Sequence, residues 1–140
     1  MKNFFKRNDH MWIQPILKNG KMTKWNWMVQ GVEHFTLGRK VDIGAFTYIQ
    51  ARYGVEIQDD VQIGSHCSIY SHSTIDNKKG KVVIKKGAKI GTHSTIMPDI
   101  TIGENAIVGA YSFVTKDVPS STLVYGIPAR IIKKLCKKNK

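Results

Sequence analysis

Aliphatic residues fall at every sixth position along most of the chain. One series runs Leu37, Ile43, Ile49. A second runs Ile57, Ile63, Ile69, Ile75, and a third Ile84, Ile90, Ile96, Ile102, Val108, Val114. Glycine follows the aliphatic anchor at Gly38, Gly44, Gly64, Gly91, Gly103 and Gly109. Four residues after the anchor the side chain is small or β-branched: Val41, Thr47, Val61, Cys67, Ser73, Ala88, Ser94, Ala106, Ser112. A period of six fits neither a helix nor a single strand. It predicts a short strand, a turn and another short strand, three such hexads closing one triangular coil and the coils stacking at the strand spacing of about 4.8 Å. Anchors and small residues point inward, and the glycine is expected to supply the turn.

The predicted class is therefore all-β, a parallel β-helix over residues 37–119. Residues 1–36 form an N-terminal cap segment, with Phe4, Phe5, Trp12, Trp25 and Trp27 supplying apolar surface to close one end of the stack. Residues 120–140 form a turn, a short α-helix starting near Ala129 behind Pro128, and a basic tail.

The beat slips twice. Between Ile49 and Ile57 the interval is eight, and Gly54 marks a turn of positive φ that makes Arg52 and Tyr53 candidate substrate contacts. Between Ile75 and Ile84 it is nine, and the polar stretch from Asp76 and Asn77 to Lys81 is expected to protrude as a loop over 76–81. If the loop bulges without removing a strand, Ile69, Ile90 and Val108 share a column. His72 and His93 then stand one coil apart on one outer face, with His66 on another. All three histidines fall three positions after an anchor. A histidine near its ordinary pKa can take a proton from a hydroxyl or amine at neutral pH. Asp76 is the carboxylate nearest in sequence.

Composition narrows the class. A net charge of +12 invites a nucleic-acid partner, but no recognition helix, zinc-finger spacing or aromatic RNA-binding motif accompanies it. The charge gathers at Lys133, Lys134, Lys137, Lys138 and Lys140, as expected of a solvated tail or of attraction for a small polyanion. No apolar run is long enough to span a bilayer, the N-terminus lacks the apolar core of a signal peptide, and two cysteines make no disulfide framework. A cytoplasmic protein is the expectation. Cys67 falls in an inward slot, where a thiol is inert.

The hexads, with VGAYSFVTKDVP (Val108 to Pro119) and YGIPARIIKK (Tyr125 to Lys134), resemble the hexapeptide-repeat acyltransferases. The resemblance covers roughly Leu37 to Leu135. It implies a left-handed coil, a homotrimer and acetyl-coenzyme A as co-substrate, with no metal. It further implies a sugar or sugar-nucleotide acceptor. In relatives the base follows an IGxxVxIY pair; here IGSHCSIY precedes His72, so His72 is the candidate base, with His66 and His93 the other candidates. Donor contacts carry over to Gly109 and Ala110, to Thr115 and Lys116, and to Arg130; Ile127 stands where relatives often have asparagine. Two other readings share the fold. One is a γ-class carbonic anhydrase-like zinc site on three histidines, although five residues separate His66 from His72, where those enzymes typically have four. The other is a non-catalytic scaffold.

Overall fold

The computed structural model describes residues 12–136; Phe4, Phe5, Lys137, Lys138 and Lys140 lie outside the described residues. The chain winds into a parallel β-solenoid with three faces. The first face stacks β1 (Met28–Gln30), β4 (Tyr48–Gln50), β7 (Ser68–Tyr70), β12 (Thr95–Ile96) and β15 (Phe113–Val114). The second stacks β2 (Phe35–Leu37), β5 (Val55–Ile57), β10 (Val82–Ile84) and β13 (Thr101–Ile102). The third stacks β3 (Asp42–Ile43), β6 (Gln62–Ile63), β11 (Lys89–Ile90), β14 (Ile107–Val108) and β16 (Thr122–Gly126), with β17 (Ala129–Lys134) added antiparallel. A hairpin of β8 (His72–Ser73) and β9 (Lys78–Lys79) stands off the coil.

The columns follow from the registers. Val29, Ile49, Ile69, Ile96 and Val114 line the first face from within. Leu37, Ile57, Ile84 and Ile102 line the second, and Ile43, Ile63, Ile90, Val108 and Val124 the third. All are buried except Leu37, which packs half-buried against the cluster. Each fully buried aliphatic contributes roughly 1.5–3 kcal/mol.

Four expectations need correction. Ile75 is no anchor: it is 99% exposed on the hairpin, and Ser73 likewise sits in the hairpin instead of the core. The column is Ile63, Ile90 and Val108, with Ile69 paired to Ile96. This moves His93 away from His72 and beside His66. The α-helix near Ala129 is a strand: the third face leaves an open edge at β16, where β-branched Ile131 pairs antiparallel with Val124 and Ile132 falls at a bulge. The glycines after the anchors do not carry the turn. The positive φ falls three residues after the anchor, at Lys40, Phe46, Asp60, His66, His93, Asp99, Asn105 and Tyr111. Glycine is needed because the next coil lies too close: a Cβ on Gly64 would sit 2.6 Å from the Thr92 nitrogen.

The two slips share one corner. From first face to second the anchors are eight apart at Val29 to Leu37 and again at Ile49 to Ile57, fifteen at Ile69 to Ile84, and six at Ile96 to Ile102. That corner carries every insertion, and the hairpin is its longest. The chain leaves at buried Ser71 and returns at Gly80, whose N–H bonds the Ser71 carbonyl at 3.0 Å. The excursion thus begins at His72, earlier than the polar stretch suggested.

At the N-terminal end, Trp27 is buried in the core and the Trp12 indole N–H donates to the Val41 carbonyl at 3.1 Å. Trp25 is 39% exposed, beneath Lys24.

Candidate active site

The hairpin corner, between first and second faces, gathers most of the candidate acceptor residues. His72 opens the hairpin. Its Nε2 lies 3.3 Å from Asn77 Oδ1, and its ring meets Tyr53 edge-on at 5.1 Å between centroids. Its Nδ1 is buried and has no hydrogen-bond partner. Ser71 fixes the base of the hairpin to the previous coil: its hydroxyl is 2.7 Å from the Gln50 carbonyl and accepts the Tyr53 N–H at 3.0 Å. Lys79 lies over the Tyr53 ring at 5.3 Å.

Beside His72 opens a polar depression of about 290 Å³, lined by Asn19, Gln30, Gly31, Glu33, Tyr48, Gln50, Arg52, His72 and Thr74. Amides, a carboxylate, a guanidinium and a phenol are the groups that recognise a hydroxyl-rich molecule. Burial pushes the Tyr48 phenol above its ordinary pKa, nearby Tyr70 adds to this, and Arg52 opposes it. The phenol is therefore a hydrogen-bonding group and not an anion at neutral pH. A wider depression of about 350 Å³ on the second face, lined in part by Glu56, Asp59, Lys86 and Glu104, holds none of the candidate residues.

Of the candidates, Arg52, Tyr53 and Asn77 come together with His72. Asp76 does not: it pairs with Lys78 at 3.6 Å, and a hydrogen bond from Ser73 is the main cause holding its carboxyl below the usual range. The sequence reading missed Asn19, Gln30, Glu33, Tyr48 and Gln50. Three of them, Gln30, Tyr48 and Gln50, flank the anchors Val29 and Ile49 on outward positions of the first coils, where no spacing distinguishes a pocket wall from ordinary surface.

His66 and His93 stand at a different corner, between third and first faces. They stack at 4.7 Å with 4° between planes, and the stack continues to Tyr111 at 4.8 Å and 3° and to Phe46 at 5.2 Å, tilted 44°. One ring per coil occupies the left-handed slot, with φ between 57° and 65°. Phe46 and Tyr111 obey the same anchor-plus-three rule as the histidines, so this ladder was legible and overlooked. Among the described residues no three histidine, cysteine, aspartate or glutamate side chains are grouped to hold a metal ion. Cys67 is buried beneath the ladder; burial pushes its thiol pKa up, which keeps it protonated.

The donor candidates divide between corners. Gly109 and Ala110 are on the ladder corner, with Tyr125 packed over Gly109 and Arg130 opposite Tyr125 on β17. Thr115 and Lys116 follow β15 on the hairpin corner, two coils beyond His72.

Comparison with known proteins bears on this geometry. Residues 81–116 match the bacterial transferase hexapeptide (six repeats) family model. A variant of AntD, an N-acyltransferase from Bacillus cereus in complex with dTDP and coenzyme A, superposes with TM-score 0.60 at 30% identity, covering 80% of this chain and 68% of that one. The chain belongs to the hexapeptide-repeat transferase family. Within that family, it is 31% identical over 132 residues to the galactoside O-acetyltransferase of Escherichia coli (strain K12), covering 82% of this chain and 64% of that protein. A hexapeptide-repeat acetyltransferase from Vibrio cholerae O1 biovar eltor, complexed with acetyl coenzyme A, superposes with TM-score 0.74 at 28% identity, covering 79% of this chain and 66% of that one. The chain spans less than two thirds of the length of the curated relatives cited. No helix among the described residues is long and apolar enough to cross a membrane.

Proposed function

We propose that this member of the hexapeptide-repeat family is a coenzyme A-dependent acyltransferase, an acetyltransferase, acting in the cytoplasm on a hydroxyl or amine of a sugar or sugar nucleotide. The observation that carries the reading is His72 at the edge of a polar pocket on this fold. A ring nitrogen of His72 takes the proton of the acceptor hydroxyl or amine as that oxygen or nitrogen attacks the thioester carbonyl carbon. Backbone N–H groups stabilise the oxyanion. The intermediate collapses with cleavage of the C–S bond, and the thiolate leaves and is protonated. No acyl-enzyme forms, consistent with the buried, protonated Cys67.

The acceptor occupies the depression that runs toward the first coils, where Arg52 lines it and Tyr53 and Asn77 contact His72 at its edge. The donor lies toward the C-terminal coils. Lys116 and Arg130 suit its phosphates, yet they stand on two different corners separated by the width of the first face. A donor that touches both sets spans two copies of the chain. This supports a homotrimer in which the ladder corner of one copy faces the hairpin corner of the next. Calorimetric titration with acetyl-coenzyme A, followed by turnover on a panel of amino sugars and hydroxyl sugars with His72→Ala as control, tests the proposal. Saturable donor binding with acceptor-dependent thiol release supports it. Binding without turnover on any sugar, or turnover undiminished in His72→Ala, defeats it.

A further inference from the structure

The ring of His93 is fixed by a hydrogen bond and by stacking on both faces. Three hydrogen bonds meet at Thr92. Its hydroxyl is 2.8 Å from the Ser65 carbonyl, 3.2 Å from Ser65 Oγ and 2.9 Å from His93 Nδ1. A carbonyl can only accept, so the single Thr92 hydroxyl proton goes to Ser65 O. Thr92 Oγ1 must then accept from the other two, and only one assignment satisfies all three contacts. Nδ1 of His93 therefore donates to Thr92, and in the neutral ring the lone pair lies on Nε2. The ring is held between His66 and Tyr111, nearly parallel to both. His93 is exposed, and its Nε2 has no partner among the described residues. A hydrogen-bond acceptor is thus held in fixed orientation on a corner where the backbone pays about 1–2 kcal/mol for each left-handed residue.

The position says what it can accept from. His93 is one coil before Gly109, Ala110 and Tyr111 on the same corner. A donor whose phosphates lie at Arg130 and whose thioester must reach the level of His72, in the third coil, has to run past Ala110 and then past His93. The pantetheine arm of coenzyme A has two amide nitrogens joined through a β-alanine unit. They are four bonds apart, about 5 Å when extended, which matches the coil rise of about 4.8 Å. An arm with one amide at Ala110 therefore brings the other to the level of His93, while its methylenes lie along the ring edges of the ladder.

Resting on the donor assignment above, we propose that His93 is a donor-binding residue: its Nε2 accepts a hydrogen bond from an amide N–H of the pantetheine arm. His93 then binds and orients the donor and takes no proton from the acceptor.

The test compares two probes by calorimetry, coenzyme A and adenosine 3′,5′-bisphosphate, which has the phosphates but no arm. His93→Phe keeps an aromatic ring in the ladder and removes the acceptor. It is expected to weaken coenzyme A binding about tenfold, the scale of one lost hydrogen bond, and to leave the bisphosphate unchanged. His93→Gln, whose amide oxygen is again an acceptor, is expected to recover most of the loss, and His66→Phe to bind like wild type. Unchanged coenzyme A affinity in His93→Phe, or equal loss on both probes, overturns the inference. Failure of the wild-type protein to bind coenzyme A at all is a separate outcome, which removes the donor assignment and this inference with it.

Discussion

The ladder corner and the hairpin corner are built from the same repeat and have become opposite kinds of surface. On the ladder corner each coil turns in the same number of residues, the left-handed slot recurs in register, and rings stack on rings. On the hairpin corner the turn length varies along the stack, from six to fifteen residues between anchors, and the chain makes walls, a pocket and a protruding hairpin. Regular turns give a continuous track along the solenoid axis, suited to an extended ligand. Irregular turns give concavity, suited to a compact one. A long donor at one and a compact acceptor at the other is the division of labour that the shapes favour.

The comparison breaks most completely if the hairpin is removed. The coil before it crosses the same corner with Arg52, Tyr53 and Gly54 between Ala51 and Val55. Replacing His72–Lys79 by one residue gives the third coil the same length, because Gly80 and Lys81 already align with Tyr53 and Gly54. Transfer is expected to disappear, while the far-ultraviolet dichroism persists and the melting temperature stays within about 5 °C of wild type. Residual transfer near the wild-type rate would place the chemistry away from the hairpin.

A narrower cut separates base from scaffold. His72→Ala should lower kcat by about 10²–10⁴-fold and leave the affinity for coenzyme A unchanged, since the donor is assigned to other coils. A loss in donor affinity with unchanged kcat would reverse the roles of the two corners.

The third cut addresses the regular corner's close stacking. Gly64→Ala places a Cβ 2.6 Å from the Thr92 nitrogen, in the turn that carries the His93 network. The coils cannot part locally without breaking backbone hydrogen bonds on both sides, so destabilisation of about 1–3 kcal/mol is expected in denaturant unfolding. A neutral effect would show that the ladder corner is looser than its geometry implies.

The same contrast explains what the sequence revealed. The inward columns were legible because burial on every coil leaves an aliphatic at every sixth position, and Ile63, Ile90 and Val108 follow that rule without exception. Ile75 was misplaced because it preserves the beat by coincidence on a hairpin that buries nothing there. With one false anchor, the count shifted by a strand and joined His72 to the wrong column. The strand at Ala129–Lys134 was missed because a sheet edge, a tertiary feature, supplied its partners. The site was legible in part. A histidine at the start of the second slip and polar residues in the loop marked the hairpin, but Gln30, Glu33 and Tyr48 join the pocket only because coils stack, and stacking leaves no local signal. The ladder follows a rule as simple as that of the core, three residues after each anchor.

The smallest expected effect concerns how the hairpin's return strand is tied to the second face. Lys81 Nζ lies 3.3 Å from Glu56 Oε1, and Gln58 donates to the other Glu56 oxygen at 2.8 Å. The Gln58 hydrogen bond is the main cause holding the Glu56 carboxyl below its ordinary range; burial opposes it, and Lys81 adds to the lowering. A carboxylate lowered in the folded state adds stability above its unfolded pKa of about 4.3, and that contribution is lost as pH falls through the lower folded value. Both side chains reach solvent, so the ion pair contributes about 0.5 kcal/mol or less. Glu56→Gln should therefore cost little at pH 7, and the difference from wild type should shrink as pH falls below about 4. The deciding comparison is with Gly64→Ala, whose penalty is steric and should persist at every pH. If the Glu56→Gln penalty also persisted at low pH, the hairpin would be held by the packing of Lys81 against Gly54, and charge would contribute nothing to its position.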